Sequence, residues 1–374
     1  MKIVIAPDKF KNSLTGLEFC NAVEEGIRAT MPDTEIIKLP LADGGDGTIE
    51  VVNYYLKGEI VHVEANNPFF QPIKASYLYD EASKTAFIEM AEASGVKLLK
   101  PEHFDCKNAT SLGTGELIID AINRGALKII LGIGGSATND CGIGMATALG
   151  YQFLDKNNNQ VHPVGANLKD IKTIDFLKVH KKIKQVNFSI ACDVTNPLYG
   201  LNGAAYVYGF QKGATDNDIK ILDKGLQSFS KLIEKVFKIN PQEVIGAGAA
   251  GGIGIASKVF LNGTLESGIQ LIKDMSDFDT KIENADWIIT GEGKLDEQTS
   301  SGKTIQGVLS SAKEKDLKVA VFCGAISLNE TTIKNLGINY ADTVLNYSDN
   351  IDDAMSNSYV YVKEIAKKFT EKNL

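Results

Sequence analysis

The chain has 374 residues, more than one average hydrophobic core organises, which predicts two domains. Its 39 basic and 47 acidic residues give a net charge of -8, and an acidic protein is a poor general partner for nucleic acid. No apolar run approaches the ~18 residues that a membrane-spanning helix needs. The five cysteines and four histidines are scattered, which argues against disulfides, a zinc site and a Ser-His-Asp triad.

The first predicted elements are a strand over 2–6 and a helix that begins after a polar loop. Thr15 and Glu18 have the spacing of a capping box, which satisfies backbone N–H groups at a helix start. A second strand is predicted over 35–39, followed by another polar loop and another helix. Because strand and helix alternate, we expect a parallel sheet with helices on its faces. The first strand follows no leader-like apolar stretch, so we expect a cytoplasmic protein.

The middle of the chain has a different pattern, with shorter strands spaced by turn residues. The predicted elements there are strands over 61–63, 73–79, 85–90, 127–131 and 187–192, and a helix over 114–124.

The alternation of the first segment returns near the C-terminus, with a strand over 285–290, a helix over 304–314 and a strand over 318–323. We therefore predict an α/β fold. Residues 1–64 and 285–374 would form a doubly wound, Rossmann-like parallel-sheet domain, and residues 65–284 a second α/β domain inserted in it.

Ligands of open parallel sheets bind beyond the carboxyl ends of the strands, so the residues that follow each predicted strand are the site candidates. The first such loop holds Asp8, Lys9 and Lys11. Two lysines close to a helix start are suited to binding phosphate or carboxylate, because the helix N-terminus also attracts anions. A solvated basic turn is the alternative interpretation.

The second loop, Asp43-Gly-Gly-Asp-Gly-Thr48, is more specific, because closely spaced glycines expose N–H groups that bind anions. Its two aspartates would repel a bare phosphate. They are explained if one of them binds Mg²⁺ or a substrate hydroxyl while the other caps the following helix. A simple turn with an N-cap aspartate is the alternative.

Two glycine motifs make a nicotinamide-dependent dehydrogenase a rival hypothesis. Gly132-Ile-Gly-Gly-Ser-Ala137 follows a predicted strand, with Asp155 about twenty residues further on, and Gly246-Ala-Gly-Ala-Ala-Gly251 has the full spacing of a dinucleotide fingerprint. The first motif leads into Asp140, which is a poor neighbour for a pyrophosphate. The second continues into more glycines and so forms a ribbon, where the fingerprint requires a single turn.

Ser301-Gly-Lys-Thr304 resembles the end of a Walker A loop. The full pattern requires glycine where this chain has Glu297, so no P-loop is predicted. Lys303 is still a candidate for contact with phosphate, with an ordinary lysine at a helix start as the alternative.

Two further strand exits carry acids: Asp193 is followed by Asn196, and Glu292 and Asp296 flank Gly293. Phosphoryl transfer needs positioned phosphates, charge neutralisation by Mg²⁺ and basic side chains, and often an Asp that accepts the hydroxyl proton. Mg²⁺ takes few protein carboxylates and keeps several waters. The base for hydride chemistry would more usually be His, and no His follows a predicted strand. Each acid taken singly is explained by a structural role, but as a set on successive strand exits they favour a site with the groups that phosphoryl transfer needs.

Eight motifs in the same order resemble those of the bacterial glycerate kinase family, of the type with two α/β domains, over nearly the whole chain. They are Ala6-Pro-Asp-Lys-Phe-Lys-Asn-Ser-Leu14, Ala42-Asp-Gly-Gly-Asp-Gly-Thr48, Gly113-Thr-Gly-Glu-Leu117, Gly132-Ile-Gly-Gly-Ser-Ala-Thr-Asn-Asp140, Ala191-Cys-Asp-Val-Thr-Asn-Pro-Leu198, Gln211-Lys-Gly-Ala214, Gly246-Ala-Gly-Ala-Ala-Gly-Gly252 and Ile289-Thr-Gly-Glu-Gly-Lys-Leu-Asp296.

The resemblance implies ATP and Mg²⁺ as cofactors, D-glycerate as substrate and usually 2-phosphoglycerate as product. The expected partners are these small molecules, with no nucleic acid and no membrane, in a monomer or homodimer. An NAD-dependent dehydrogenase of a small hydroxy acid and a non-catalytic sugar-acid-binding protein are the alternatives. Phosphorylation of either hydroxyl, and binding of ATP by either domain, both fit the sequence.

The site residues sort into four predicted roles. The catalytic residues are Asp193, Asp296 and Lys11. The substrate-binding residues are Asp8, Lys9, Ser13, Asp43, Gly44, Gly45 and Asn196. The residues that bind nucleotide or phosphate are Gly134, Gly135, Ser136, Gly291, Gly293 and Lys303. The metal ligands are Glu292 and Asp296.

Overall fold

The computed structural model describes residues 1–10, 13–42, 48–296 and 303–374, and of Lys303 only the backbone. The strands of the described part are β1 (Lys2–Ile5), β2 (Glu35–Lys38), β3 (Glu59–Asn66), β4 (Pro72–Asp80), β5 (Thr85–Glu89), β6 (Lys128–Gly132), β7 (Gln152–Leu154), β8 (Thr173–Asp175), β9 (Asn187–Ala191), β10 (Thr264–Glu266), β11 (Trp287–Thr290), β12 (Lys294–Leu295), β13 (Lys318–Cys323), β14 (Ala325–Ile326) and β15 (Tyr340–Thr343).

The α-helices of the same residues range from one turn to six. They are α1 (Gly16–Arg28), α2 (Thr48–Leu56), α3 (Ala91–Ser94), α4 (Leu112–Arg124), α5 (Ile143–Ala148), α6 (Ala204–Tyr208), α7 (Asp216–Phe237), α8 (Ala249–Leu261), α9 (Gly268–Ser276), α10 (Phe278–Lys281), α11 (Lys303–Glu314), α12 (Glu330–Asn335), α13 (Ile351–Ser356) and α14 (Ser358–Asn373).

Contacts divide the chain into two units. Unit 1 comprises residues 1–55 and 268–374, and unit 2 comprises residues 56–267. The predicted boundaries, after residues 64 and 284, differ from those of the structure. The observed boundaries lie earlier because β3 pairs with β4 along its whole length, from Glu59 to Asn66, and therefore belongs to the sheet of unit 2. Helix α9 instead packs on α11 of unit 1.

Unit 1 is built on a five-stranded parallel sheet in the order β2-β1-β11-β13-β15. The chain moves outward from β1 in one direction to β2 and in the other direction to β11, β13 and β15. The topological switch point therefore lies between β1 and β11, and doubly wound sheets bind ligands at the carboxyl end of such a point. The predicted fold class has a doubly wound parallel-sheet domain and a second α/β domain inserted in it. It is confirmed by this sheet, by the separate sheet of unit 2 and by the division of the chain.

The core of unit 1 lies where aromatic side chains from the sheet and its covering helices meet. Phe19 of α1, Phe322 of β13 and Phe369 of α14 are fully buried, and Trp287 packs edge-on against Phe369. Helices α1 and α14 approach so closely that a Cβ at Gly26 would lie 2.3 Å from the backbone oxygen of Lys363. The rigid sheet that results fixes the positions of the strand exits.

Unit 2 contains a six-stranded mixed sheet in the order β3-β4-β5-β6-β9-β10. Strands β5, β6, β9 and β10 are parallel, while β4 runs antiparallel to both of its neighbours. Buried aromatic residues on one side of the sheet form the core, among them Phe153, Phe229 and Phe260. Because four strands are parallel, their carboxyl ends share one edge of the sheet. The loops that leave this edge are therefore the second candidate region for a ligand site.

Candidate active site

Asp8 lies at the switch point of the unit 1 sheet, directly after β1. Its N–H group donates to the backbone oxygen of Gly291, at the end of β11, over 2.9 Å. Its carboxylate accepts the N–H of Lys9 at 2.8 Å and the hydroxyl of Thr304 at 2.6 Å. Asp8 is half-buried, with its backbone held by the exit of β11 and its carboxylate held by Lys9 and the start of α11. Its orientation is therefore fixed at the position where ligands bind in this kind of sheet.

Thr304 is a site residue that the sequence analysis did not select. It is 2% exposed, and its hydroxyl donates to Asp8 Oδ2. The signal in the sequence was the incomplete Walker pattern, in which Thr304 is the last residue. The pattern fails as a phosphate loop, yet it marks the helix start that fixes Asp8.

The segment from Gly291 to Asp296 follows β11 and carries the two acids predicted as metal ligands. Its backbone is pinned by the exit of β13, because Gly324 N donates to the oxygen of Glu292 at 3.2 Å and Ala325 N donates to the oxygen of Gly293 at 3.1 Å. β12 and β14 then pair in parallel.

The glycine at 291 is sterically required, because a Cβ there would lie 2.2 Å from the backbone oxygen of Phe322. Glu292 and Asp296 are both half-buried, and Asp296 also forms an ion pair with exposed Lys294 at 3.1 Å. Asp8, Thr304 and this pair of acids are called the acidic switch point below.

The acids of the switch point suit Mg²⁺ in type and number, because Mg²⁺ is usually held by one or two carboxylates together with phosphate oxygens and water. Among residues 1–10, 13–42, 48–296 and 303–374, no three His, Cys, Asp or Glu side chains gather as a metal group. A fully protein-made metal cage is therefore not a feature of the described chain, whereas a site completed by phosphate oxygens fits Glu292 and Asp296.

Ser13 has an anchoring contact. Its hydroxyl lies 2.8 Å from the backbone oxygen of Met355 and 2.5 Å from the hydroxyl of Ser358. These bonds tie the loop before α1 to α13 and α14. The predicted contact of Ser13 with substrate stays a prediction, and the hydroxyl would have to leave these partners to make it.

Several predicted site residues lie outside the described part of the chain. They are Lys11, Asp43, Gly44, Gly45 and the side chain of Lys303.

In unit 2, the register of the sheet brings three strand exits to one edge. Gly132 of β6 pairs with Glu89 of β5 on one side and with Ala191 of β9 on the other. Gly134 and Asp193 each follow a paired residue by two positions. The sheet therefore brings the glycine loop and Asp193, predicted from separate parts of the sequence, to the same edge.

The loop after β6, residues 133–140, is called the β6 exit loop. Gly134 and Gly135 are exposed, whereas every other residue of the loop is buried. Gly135 has φ 68°, in the left-handed region that favours glycine. Val96 N donates to the oxygen of Gly135 and Ala137 N donates to the oxygen of Ser94, both at 2.9 Å, which fixes the loop to the segment after α3.

Lys212 is a buried residue that contacts the β6 exit loop, and no sequence pattern predicted a role for it. It is 5% exposed, and its ammonium group donates to Ser136 Oγ at 2.6 Å and to the backbone oxygen of Thr138 at 2.9 Å. Burial lowers the pKa of Lys212 to about 8, while Cys106 and Asp140 act in the opposite direction. The Gln211-Lys-Gly-Ala motif is one of the eight motifs shared with the family, but its residues do not predict that the lysine is buried.

Asp140, which the sequence analysis judged unfavourable for a pyrophosphate, is a structural residue. Its fully buried carboxylate accepts from the N–H and hydroxyl of Ser111, at 2.8 and 2.7 Å, and from the N–H groups of Gly142 and Gly144. Burial raises the pKa of Asp140, and these hydrogen bonds oppose that effect. The carboxylate joins the starts of α4 and α5 to the β6 exit loop.

Asp193 and Asn196 follow β9. Asp193 is half-buried. Both ends of the Asn196 amide are used within the protein: Nδ2 donates to the backbone oxygen of Asn202 at 2.9 Å, and Oδ1 accepts the hydroxyl of Tyr208 at 2.6 Å. Asn196 therefore shapes the loop, and its direct contact with substrate stays a prediction.

The two glycine motifs that suggested a dehydrogenase have other roles here. Asp155 is a half-buried turn residue that accepts the N–H groups of Asn157 and Asn159, both at 2.8 Å. The second motif follows a turn, where the fingerprint requires a strand. A Cβ at Gly251 would lie 2.2 Å from the backbone oxygen of Thr138, so this glycine permits close packing on the β6 exit loop. The first motif follows β6, but the next helix, α5, begins only at Ile143 and not within the motif, so neither motif has the complete strand–turn–helix context of a dinucleotide site.

Among the described residues, no helix is both long enough and apolar enough to span a membrane.

The two units present polar strand exits of the kind on which α/β enzymes build their active sites. The model of the glycerate kinase family matches residues 3–372 of this chain, and the chain therefore belongs to that family. The predicted enzyme class, a glycerate kinase that transfers phosphate to an alcohol group, is confirmed.

Curated relatives and a solved structure agree with the family. A glycerate kinase of Bacillus cereus is 40% identical over 354 residues, covering 95% of this chain and 93% of the relative. A glycerate 2-kinase of Escherichia coli K12 is 40% identical over 359 residues, covering 96% and 94%. A crystal structure of a glycerate kinase 2 from Salmonella typhimurium LT2 is 39% identical, covers 99% of this chain and 97% of its own, and superposes with a TM-score of 0.89.

Proposed function

We propose that this enzyme transfers the γ-phosphoryl group of ATP to the 2-hydroxyl of D-glycerate, giving 2-phosphoglycerate and ADP. The observation that carries the proposal is the acidic switch point, where Asp8 is fixed between the ends of β1 and β11 by its bond to Gly291, the residue that precedes Glu292. Carboxylates in this position suit a site that orients hydroxyl groups and charge-balanced phosphates. The name of the Escherichia coli relative, a glycerate 2-kinase, supports the choice of hydroxyl.

In the proposed reaction the substrate hydroxyl oxygen forms a bond to the γ-phosphorus of ATP, and the bond between that phosphorus and the bridging oxygen of ADP breaks. Asp193 accepts the hydroxyl proton. Lys9 and Lys11 balance negative charge on the ligands, and Asp8 orients the substrate hydroxyls. Glu292 and Asp296 would hold Mg²⁺, which would add charge neutralisation at the phosphates.

A coupled assay of ADP release tests the proposal. We expect ADP release that depends on D-glycerate, and a ³¹P NMR spectrum of the product that matches 2-phosphoglycerate. Binding of D-glycerate without ADP release would instead indicate a sugar-acid-binding protein, and stabilisation by NAD but not by Mg·ATP would indicate a dehydrogenase. A 3-phosphoglycerate product would contradict the assigned hydroxyl alone.

Asp193→Asn sharpens this test. We expect kcat to fall by about 10²-fold or more, the scale that general-base catalysis supplies, with an unchanged melting temperature. Asp155→Asn is the matched control, because Asp155 is an equally half-buried residue of the same unit that accepts N–H groups within its own turn, and its replacement should leave kcat unchanged. Near-normal turnover of Asp193→Asn would remove this residue from the mechanism.

A further inference from the structure

The β6 exit loop has backbone donors without acceptors. Among the described residues, no oxygen accepts the N–H groups of Gly134, Gly135 and Ser136 in hydrogen-bonding geometry. Gly134 and Gly135 are exposed, so their N–H groups can meet a ligand. Successive N–H groups in a turn with a left-handed residue form a concavity that binds anions.

Lys212, whose ammonium group contacts this loop, is a buried cation with no carboxylate partner among the described residues. Lys212 has three N–H donors and uses two of them, on Ser136 Oγ and on the backbone oxygen of Thr138. Within the part of the chain that the structure describes, no carboxylate lies within ion-pair distance of its ammonium group. Asp140, the carboxylate that interacts with it through space, has its oxygens committed to Ser111, Gly142 and Gly144. Buried charges are normally paired, so a counter-ion is missing.

Ser136 connects the cation to the exposed donors. Its Oγ accepts from Lys212, so its own O–H proton is left to donate, and no other acceptor for it occurs among the described residues. The same loop holds further buried polar atoms without partners: Thr138 Oγ1 and both ends of the Asn139 amide, in residues that are 0% exposed. The hydrogen bonds of this loop are therefore incomplete without a ligand.

We propose that the β6 exit loop and Lys212 form a binding site for a phosphoryl group. The N–H groups of Gly134, Gly135 and Ser136 and the hydroxyl of Ser136 contact the phosphoryl oxygens, and Lys212 supplies the balancing charge from below. A phosphoryl group suits this set better than a carboxylate, because three or more oxygens in a tetrahedral arrangement can use four converging donors. The inference deepens the proposed function by assigning one binding site for the group that a kinase transfers.

Isothermal titration of wild type and Lys212→Met with two probes tests the site: ATP in the presence of EDTA, and 2-phospho-D-glycerate. We expect Lys212→Met to weaken binding of at least one probe by about tenfold or more, because it removes the buried positive charge that balances the phosphoryl group. Weakening for ATP alone identifies a nucleotide phosphate as the occupant, and weakening for 2-phospho-D-glycerate alone identifies the transferred group.

Two controls accompany this test. Lys231→Met, a surface substitution on α7, should leave both affinities unchanged. D-Glycerate, which lacks a phosphoryl group, should bind Lys212→Met as it binds wild type. The proposal is overturned if both probes bind the variant normally, if neither binds wild type, or if D-glycerate is the only ligand that Lys212→Met weakens.

Ser136→Ala keeps the proposal testable if Lys212→Met does not fold. It removes one donor to the ligand and one acceptor of Lys212 with little change in volume. Weaker binding of either probe supports the site, and unchanged binding of both overturns it. Failure of the proposed function appears separately, as absence of glycerate-dependent ADP release in an enzyme whose phosphoryl binding still depends on Lys212.

Discussion

The acidic switch point of unit 1 and the β6 exit loop of unit 2 are both glycine-containing exits of parallel strands, but they present opposite chemistry. At the first, the half-buried carboxylate of Asp8 accepts the hydroxyl of Thr304 and the N–H group of Lys9. At the second, backbone N–H groups and a buried lysine have donors for which the described residues offer no acceptor. The same small set of residue types therefore makes an acceptor-rich site in one unit and a donor-rich site in the other.

Aspartates show the difference most clearly, because Asp8 and Asp140 both follow strands in glycine-containing loops. Asp8 is half-buried at a switch point, whereas Asp140 is fully buried and satisfies three N–H groups and a hydroxyl. Burial, which the sequence does not display, distinguishes the acid that we propose to be functional from a structural one.

Asp140→Ala has the largest expected effect on stability. It leaves three N–H donors and one hydroxyl without their acceptor, and each unsatisfied buried group costs about 1–3 kcal/mol. We expect the free energy of unfolding to fall by about 3–5 kcal/mol, measured by urea denaturation. Asp155→Ala, the same change at a half-buried surface turn, should cost under about 1 kcal/mol. Equal losses in the two variants would contradict the structural role of Asp140.

The second-largest expected effect is the change of phosphoryl-group affinity with pH. Because burial holds the pKa of Lys212 at about 8, below its ordinary value of 10.5, the ammonium charge is lost from the folded protein as pH rises above 8. We expect the affinity for ATP in EDTA to fall by about tenfold between pH 7.5 and 9.5 in wild type, and to change much less in Lys212→Met.

The groups around Lys212 define the control for this pH measurement. Burial raises the pKa of the Cys106 thiol to about 11, so it stays neutral over this range, and Asp140 is the other group that acts on the lysine. The stability of the free protein should move in the opposite direction to affinity. The unfolded chain keeps the lysine proton between pH 8 and 10.5, so unfolding becomes less favourable as pH rises. An equal fall in affinity in Lys212→Met would show that another group titrates.

Thr304→Val has the smallest expected effect. It removes the hydroxyl that donates to Asp8 but keeps the shape of the side chain, so we expect a loss of about 1 kcal/mol in urea denaturation. Thr304→Ser keeps the donor and should retain nearly all of the stability. If the two variants behave alike, the hydrogen bond to Asp8 is not what fixes the acidic switch point.

Much of the fold follows from local sequence patterns. The Thr15 and Glu18 capping box is present at the start of α1, Gly125 ends α4 with φ 102°, and the strand predicted over 318–323 is β13. These features depend on a few neighbouring residues, so the sequence displays them directly. The positions of Asp8 and Asp193 after their strands were also visible for this reason.

The residues that sequence reasoning missed depend on contacts between distant segments. Lys212 meets Ser136 across 76 positions and Thr304 meets Asp8 across 296 positions. Ser13 was predicted to contact substrate, but its hydroxyl is engaged by helices more than 340 positions away. No periodicity or motif encodes such pairings, because burial and partners are properties of the assembled sheet.

The division of the chain has a consequence for how the protein reaches its native state. Unit 2 is one continuous segment, whereas β1 of unit 1 must find β11, with Ile3 beside Trp287. The entropy of closing so long a loop grows only with the logarithm of its length, and an inserted unit that has already folded shortens the effective loop. We therefore expect the continuous unit to acquire structure first during synthesis, and the central strand pairing of the other unit to complete last.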